Sequence, residues 1–234
     1  MKRITFLILS IIKFLNNLTN TSVTYQCSTM EVRVATDKDY DKVLDFIRVH
    51  YYKEEPLTIG VEPKQQDQHD EEFNMSSISH GTSVVAVEGD QILGVFLAAP
   101  KYSDEAQHIK EEAEKYKMVK DFRNSYHVET QANVFERFGV DKAVHGHVLT
   151  VHNEARGKNV GGKLLEKVWE VTKEKGYKLF TSDCTSFYSA RLMERMGMIL
   201  VNEFPYKNYK DSNDNQVFNP PEIHKSIKTF AKVL

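Results

Sequence analysis

The sequence predicts an α/β fold in which a mixed sheet is covered by helices on both faces. Three observations predict it: helical and strand periodicities alternate through the middle of the chain, hairpin-like apolar runs stand at both ends, and no repeat or linker interrupts them. The first element is a strand over 31–35, where polar and apolar residues alternate. Thr36 and Asp37 then supply a cap for a helix whose apolar positions are Val43, Phe46 and Ile47, running to His50. Two prolines and a glycine make 51–63 a loop, and 65–80 reads as a second, polar-faced helix. Apolar strands over 82–87 and 92–99 flank Glu88-Gly89-Asp90-Gln91 as a hairpin. Residues 103–120, highly charged and without glycine or proline, predict a solvated helix with no chemistry of its own. A strand over 144–151 follows, then an amphipathic helix over 160–175 built on Leu164, Leu165, Val168, Trp169 and Thr172. A strand over 178–182, a helix over 187–196 stopped by Gly197, and strands over 198–204 and 223–233 complete the chain.

With 234 residues, 41% hydrophobic and 27% charged, the chain can bury a sizeable core, and one domain is expected. Its 31 basic and 33 acidic residues leave a net charge of -2, so nothing global points to nucleic acid or an anionic membrane, and a small ligand is the expected partner. Two cysteines, Cys27 and Cys184, make no disulfide framework, and no Cys/His group has zinc spacing; a reducing compartment and no metal are expected. Residues 1–29 stand apart as an N-terminal extension or targeting segment, with 30–234 as the folded domain. Lys2 and Arg3 precede an apolar run from Ile4 to Ile12, too short to span a bilayer, and sequons follow at Asn17 and Asn20. That order suits a secretory signal, whereas the cysteine usage suits the cytoplasm, which is the expected location.

The most informative stretch joins the strand over 144–151 to the helix over 160–175: Arg156-Gly157-Lys158-Asn159-Val160-Gly161-Gly162-Lys163. Glycines leave backbone N–H groups open to a phosphate, the helix start carries partial positive charge, and Arg156, Lys158 and Lys163 add full charges. A pyrophosphate suits such a turn. The glycine spacing does not match a dinucleotide fingerprint, and Leu164 stands where a P-loop needs Ser or Thr.

This strand, Arg-x-x-Gly-x-Gly loop and helix resemble the coenzyme A motif of GNAT acetyltransferases. Glu54-Glu55-Pro56-Leu57 and the stretch from Cys184 to Glu194 make residues 30–234 similar to the arylalkylamine N-acetyltransferases of invertebrate type. Asn159 departs from the family's glycine, and because Asn tolerates the left-handed region the loop is expected to keep its shape. The resemblance implies a GNAT fold with a mostly antiparallel sheet and acetyl-CoA as co-substrate. It places the pantetheine on the backbone of Leu149, Thr150 and Val151, like an added strand, and the pyrophosphate on Arg156, Gly157, Lys158, Asn159, Val160, Gly161 and Gly162. It further implies a monomer acetylating an aromatic ethylamine such as serotonin, dopamine, octopamine or tryptamine. The alternatives are a polyamine or other aliphatic amine as acceptor, or a catalytically silent acyl-CoA-binding module.

A primary amine has a pKa of about 10.4, so at neutral pH on the order of one molecule in a thousand carries the lone pair that attacks a thioester, and the site needs a base. Glu55 is the first candidate, because Pro56 restricts its backbone and Tyr51, Tyr52 and Leu57 stand ready to desolvate it; the resemblance supports the same residue. His145 and His147, two apart on a strand, form a second candidate, with His147 preferred. In many GNAT enzymes a tyrosine four residues before the helix-closing glycine protonates the departing thiolate; here that position is Met193. Thr185 and Ser189, one turn apart, are the candidate hydroxyl relay, and they equally suit an N-cap and a first-turn serine. Tyr188 is a weaker donor, and Cys184 reads as packing more than as a nucleophile.

Overall fold

The computed structural model describes residues 29–59, 68–104, 131–210 and 214–234. Their strands are β1 (Glu31–Val34), β2 (Val84–Glu88), β3 (Gln91–Tyr102), β4 (Lys142–Val151), β5 (Leu179–Cys184), β6 (Ile199–Pro205) and β7 (Ser226–Val233). They form one sheet in the order β1-β2-β3-β4-β5-β7-β6, antiparallel throughout except for the parallel pair β4 and β5. The helices are α1 (Tyr40–His50), α2 (Gln68–Ser76), α3 (Val134–Phe138), α4 (Val160–Glu174) and α5 (Phe187–Arg195). One face of the sheet buries Phe96, Val144, Phe180 and Phe230 against Leu164, Leu165 and Val168 of α4 and Met193 of α5. The other buries Val85, Val95, Leu97 and Val148 against Val43, Phe46 and Ile47 of α1 and Met75 of α2. Helices on both faces of a mixed, mostly antiparallel sheet are what the sequence predicts.

Several boundaries differ from expectation for physical reasons. A single 3-10 turn, Asp37–Asp39, precedes α1, and the Thr36–Asp39 capping box closes there, so the helix begins three residues after the expected cap. The second helix is shorter than the predicted 65–80; it ends at Ser76 and hands over to a 3-10 segment, Ser77–His80, closed by Gly81 at φ 65°. β3 runs past Ala99 through Pro100 to Tyr102, because β2 stops pairing at Phe96 and a proline facing no strand on that side loses no ladder bond. The strand expected from 223 starts at Ser226, after a turn in which the His224 N–H bonds the carbonyl of Pro221. α3, five residues between Asn133 and Gly139, both at positive φ, is too short for periodicity to announce. The helix expected over 103–120 lies outside the described residues except for Ser103 and Asp104, as do residues 1–28.

Two irregularities in β4 position the site. Leu97 pairs with Val148 and Ala98 with Gly146, which leaves His147 as an extra residue and bends the strand. Pairing to β5 covers only Val144, His145 and Gly146, so from His147 onward, among the described residues, the strand paired with β4 is β3 alone. Gly146 marks the parting point between two buried rings: a Cβ there would lie 2.6 Å from Phe96 and 3.0 Å from Phe180. Since neither ring has room to retreat, Gly146→Ala is expected to lower unfolding free energy by about 1–3 kcal/mol. Urea denaturation checks this as a reduced midpoint at unchanged slope.

Candidate active site

The turn between β4 and α4 carries the groups expected to hold a pyrophosphate. The His152 N–H bonds the carbonyl of Leu93, and a 3-10 turn, Asn153–Ala155, brings the chain round to Arg156. Asn159 sits at φ 60°, ψ 23°, the left-handed conformation expected of it, and ends the turn that starts α4 at Val160. Its side chain fills the hollow over Gly162, where a Cβ would meet the Asn159 Oδ1 at 2.4 Å. Gly161 packs closely on Leu192 of α5, where a Cβ would lie 3.2 Å from the leucine methyl. The helix start, Lys158 and Lys163 are thus presented beside the unpaired edge of β4 that bears Leu149, Thr150 and Val151, and these residues fit an extended, anionic ligand. The Thr150 hydroxyl is turned to the other face, donating to the carbonyl of His50 at 3.0 Å. Arg156 donates to the Val151 carbonyl at 3.4 Å and pairs with Glu54 at 2.5 Å, tying this turn to the neighbour of Glu55.

Glu55 lies where the loop after α1 meets the start of α5. It is only 8% exposed. One carboxylate oxygen accepts from the Leu57 N–H at 3.3 Å and the other from the Thr185 hydroxyl at 3.2 Å. Burial pushes the carboxyl above its usual range, the Thr185 and Leu57 donors oppose that rise, and the charge of Asp70 adds to it. The expected pair of hydroxyls is divided between two partners: Thr185 serves Glu55, whereas Ser189 bonds Ser186 at 2.9 Å. The N-cap of α5 is Ser186, which accepts from the Ser189 N–H, so the capping reading of Thr185 is corrected by one residue.

His145 and His147 share a face, with ring centroids 5.0 Å apart. His145 is buried and bonds the Thr181 hydroxyl through Nδ1 at 2.8 Å, a structural partner. His147 meets the edge of Phe73, a ring 55% exposed on α2. Burial holds both imidazoles well below their ordinary pKa and therefore neutral, which makes them weak bases. Met193 is fully in the core, and burial pushes the Cys184 thiol up to about 12, which removes it as a nucleophile at neutral pH.

Residues the sequence did not single out stand near Glu55. On α2, the Asn74 amide donates to the Tyr52 hydroxyl and, one helical turn away, to Asp70, each at 3.1 Å. Tyr206, after β6, donates its hydroxyl to the Thr185 carbonyl at 2.7 Å. The contacts to Tyr52 and Thr185 had no local signal, because each arises only across the fold. Among the described residues no group of three His, Cys, Asp or Glu side chains is arranged to hold a metal, and no helix is long and apolar enough to cross a membrane.

Residues 44–198 match the model of the Acetyltransferase (GNAT) family, and the chain belongs to that family. It is a GNAT-fold acetyltransferase with acetyl-CoA as its acyl donor. Among solved structures it resembles a Drosophila melanogaster polyamine N-acetyltransferase that catalyses the formation of N-acetylagmatine, at 38% identity and TM-score 0.82 over 88% of this chain and 100% of that one. A mutant agmatine N-acetyltransferase in its apo form matches at 38% identity and TM-score 0.82, over 88% and 99% of the two chains. A mosquito arylalkylamine N-acetyltransferase-like 5b matches at 30% identity and TM-score 0.80, over 88% and 100%.

The left-handed position of Asn159 is testable by stability. Asn159→Ala is expected to cost about 1 kcal/mol, since an ordinary side chain is strained there, whereas Asn159→Gly is not. Thermal melting of the two variants separates the cases.

Proposed function

We propose that the chain transfers the acetyl group of acetyl-CoA to a small aliphatic amine that carries a second cationic group, the agmatine and polyamine class. The observation that carries this reading is the 38% identity, over nearly the whole of both chains, with enzymes of that description, against 30% for the arylalkylamine relative. It reverses the order expected from the motifs, which put arylalkylamines first. The acceptor side supports it locally: Asp70 acts on Glu55 through its charge, and two carboxylates suit a dication better than a neutral aromatic tail. The exposed Phe73 ring beside His147 is the observation that favours an arylalkylamine as second reading.

In the proposed mechanism the amine nitrogen attacks the thioester carbonyl carbon, the carbon–sulfur bond breaks and the thiolate leaves. Glu55, directly or through one water, takes the ammonium proton; its raised pKa makes it a stronger base than either depressed histidine. His147 orients that water as a neutral ring. The α4 turn, from Arg156 to Gly162, and the β4 edge at Leu149, Thr150 and Val151 hold the coenzyme. Ser189, hydrogen-bonded to Ser186, supplies the hydroxyl toward the thiolate, and Thr185 orients the base.

Thiol release is measured with acetyl-CoA and agmatine, spermidine, tryptamine or serotonin. Agmatine or spermidine is expected to exceed the aromatic amines at least about tenfold in kcat/KM, a difference one desolvated ion pair supplies. The opposite preference returns the arylalkylamine reading, and coenzyme binding without turnover leaves the silent module. Glu55→Gln is expected to reduce kcat by about 100-fold or more. Because Glu55 must be ionised to accept a proton and its pKa is raised, kcat/KM is expected to fall on acidification through a limb above the ordinary carboxylate range. A limb at the ordinary carboxylate pKa would assign the base elsewhere.

A further inference from the structure

Behind the acceptor site stands a small aromatic cluster separate from the two main cores. Tyr206, Tyr209, Phe218 and Ile227 are buried together, with Leu57, Phe204 and Val217 packed against them. The rings of Tyr209 and Phe218 stack at 5.1 Å, and Tyr206 lies 6.3 Å from Phe218. The family match ends at residue 198, so the chain beyond it builds most of this cluster. Two members reach Glu55 from opposite sides. The Leu57 N–H donates to one carboxylate oxygen, and Tyr206 holds the carbonyl of Thr185, whose hydroxyl donates to the other.

The Thr185 carbonyl precedes the N-cap of α5, and the first helical bond of α5 is taken by the Ser186 carbonyl. Tyr206 therefore gives the Thr185 peptide a partner that the helix does not supply, and a carbonyl next to a buried carboxylate needs one. That bond fixes the backbone from which the Thr185 hydroxyl reaches Glu55.

We propose that Tyr206 is a positioning residue for acetyl transfer, acting through Thr185 to orient the Glu55 carboxylate. This rests on the reading of Glu55 as the base. The groups facing that carboxylate are Tyr51 from the end of α1, Asp70 from α2, Tyr206 from the segment after β6, and the neutral donors Thr185 and Leu57. Burial keeps both tyrosines protonated across the neutral range, and Asp70 is the same in every variant below.

The test is the pH profile of kcat/KM for the full chain, with the amine it turns over best, in wild type, Tyr206→Phe, Thr185→Val and the double variant. Phe keeps the ring in its cluster and removes only the hydroxyl. Losing a donor to the ionised carboxylate raises its pKa, so Tyr206→Phe is expected to move the acid limb up by about half a pH unit and to lower kcat about threefold to tenfold. The KM for acetyl-CoA is expected to stay unchanged. Thr185→Val moves the limb at least as far, and the double variant moves it no further than Thr185→Val alone. An unmoved limb in Tyr206→Phe, or a shift that adds in full to that of Thr185→Val, overturns the proposal; a lower melting temperature with the limb in place assigns Tyr206 to packing alone. If Tyr206→Phe does not fold, Phe218→Leu, which loosens the cluster and keeps the hydroxyl, carries the same expectation in smaller measure, and an unmoved limb there overturns it too. Glu55→Gln separates the two readings. Retained activity in that variant removes the base assignment whatever Tyr206→Phe does, whereas lost activity with an unmoved Tyr206→Phe limb removes only the role of Tyr206.

Discussion

The parting of β4 from β5 after Gly146 is the constraint on which the rest of the structure depends. A parallel pair that continued to Val151 would satisfy the backbone groups of β4 and leave nothing for a ligand to bond. The bulge at His147 and the two rings that close on Gly146 coincide with the end of that pairing. Beyond it α4 follows β4 and α5 follows β5, and both helices pack on the same face of the sheet. The proposed coenzyme turn and the proposed base are both placed by this arrangement, one through β4 and the other through the Thr185 bond at the start of α5.

The proposed base is governed by the burial of its carboxylate. Glu55 is placed under apolar and aromatic groups, yet its oxygens receive donors from Leu57 and Thr185, so the charged form is disfavoured by one effect and recovered by another. That balance leaves the group more basic than a surface glutamate while keeping it fixed. The histidines of β4 are held neutral by burial, His145 even with the Thr181 hydroxyl and the Asp183 carboxylate beside it, and the same low polarity that strengthens the carboxylate as a base weakens them. One environment therefore sorts the two candidate bases.

Much of this was legible in the sequence, for reasons that follow distance along the chain. The β4 strand, its turn and α4 are contiguous, and their periodicity, glycines and the left-handed tolerance of Asn159 announce them. Glu55 was legible because Pro56 and its aromatic neighbours are adjacent to it. What could not be read is what the fold brings from afar: Asp70 and Asn74 on a short polar helix, and Tyr206 in a segment with no motif. Thr185 was singled out with the wrong partner, since one helical turn suggested Ser189, whereas its hydroxyl reaches across the molecule to Glu55. The proposed preference among amines has no motif behind it for the same reason, because Asp70 stands on α2, distant in the chain from Glu55.

The bond between Thr185 and Glu55 joins residues 130 positions apart, while the coenzyme turn is built from neighbours. Closing a long loop costs more entropy than closing a short one, and contacts of high separation form only when the elements between them are in place. Strand, turn and α4 are therefore a local unit, whereas the Glu55 carboxylate and its Thr185 donor meet only in the completed sheet, so a loosening that parts distant elements reaches that bond without undoing the turn.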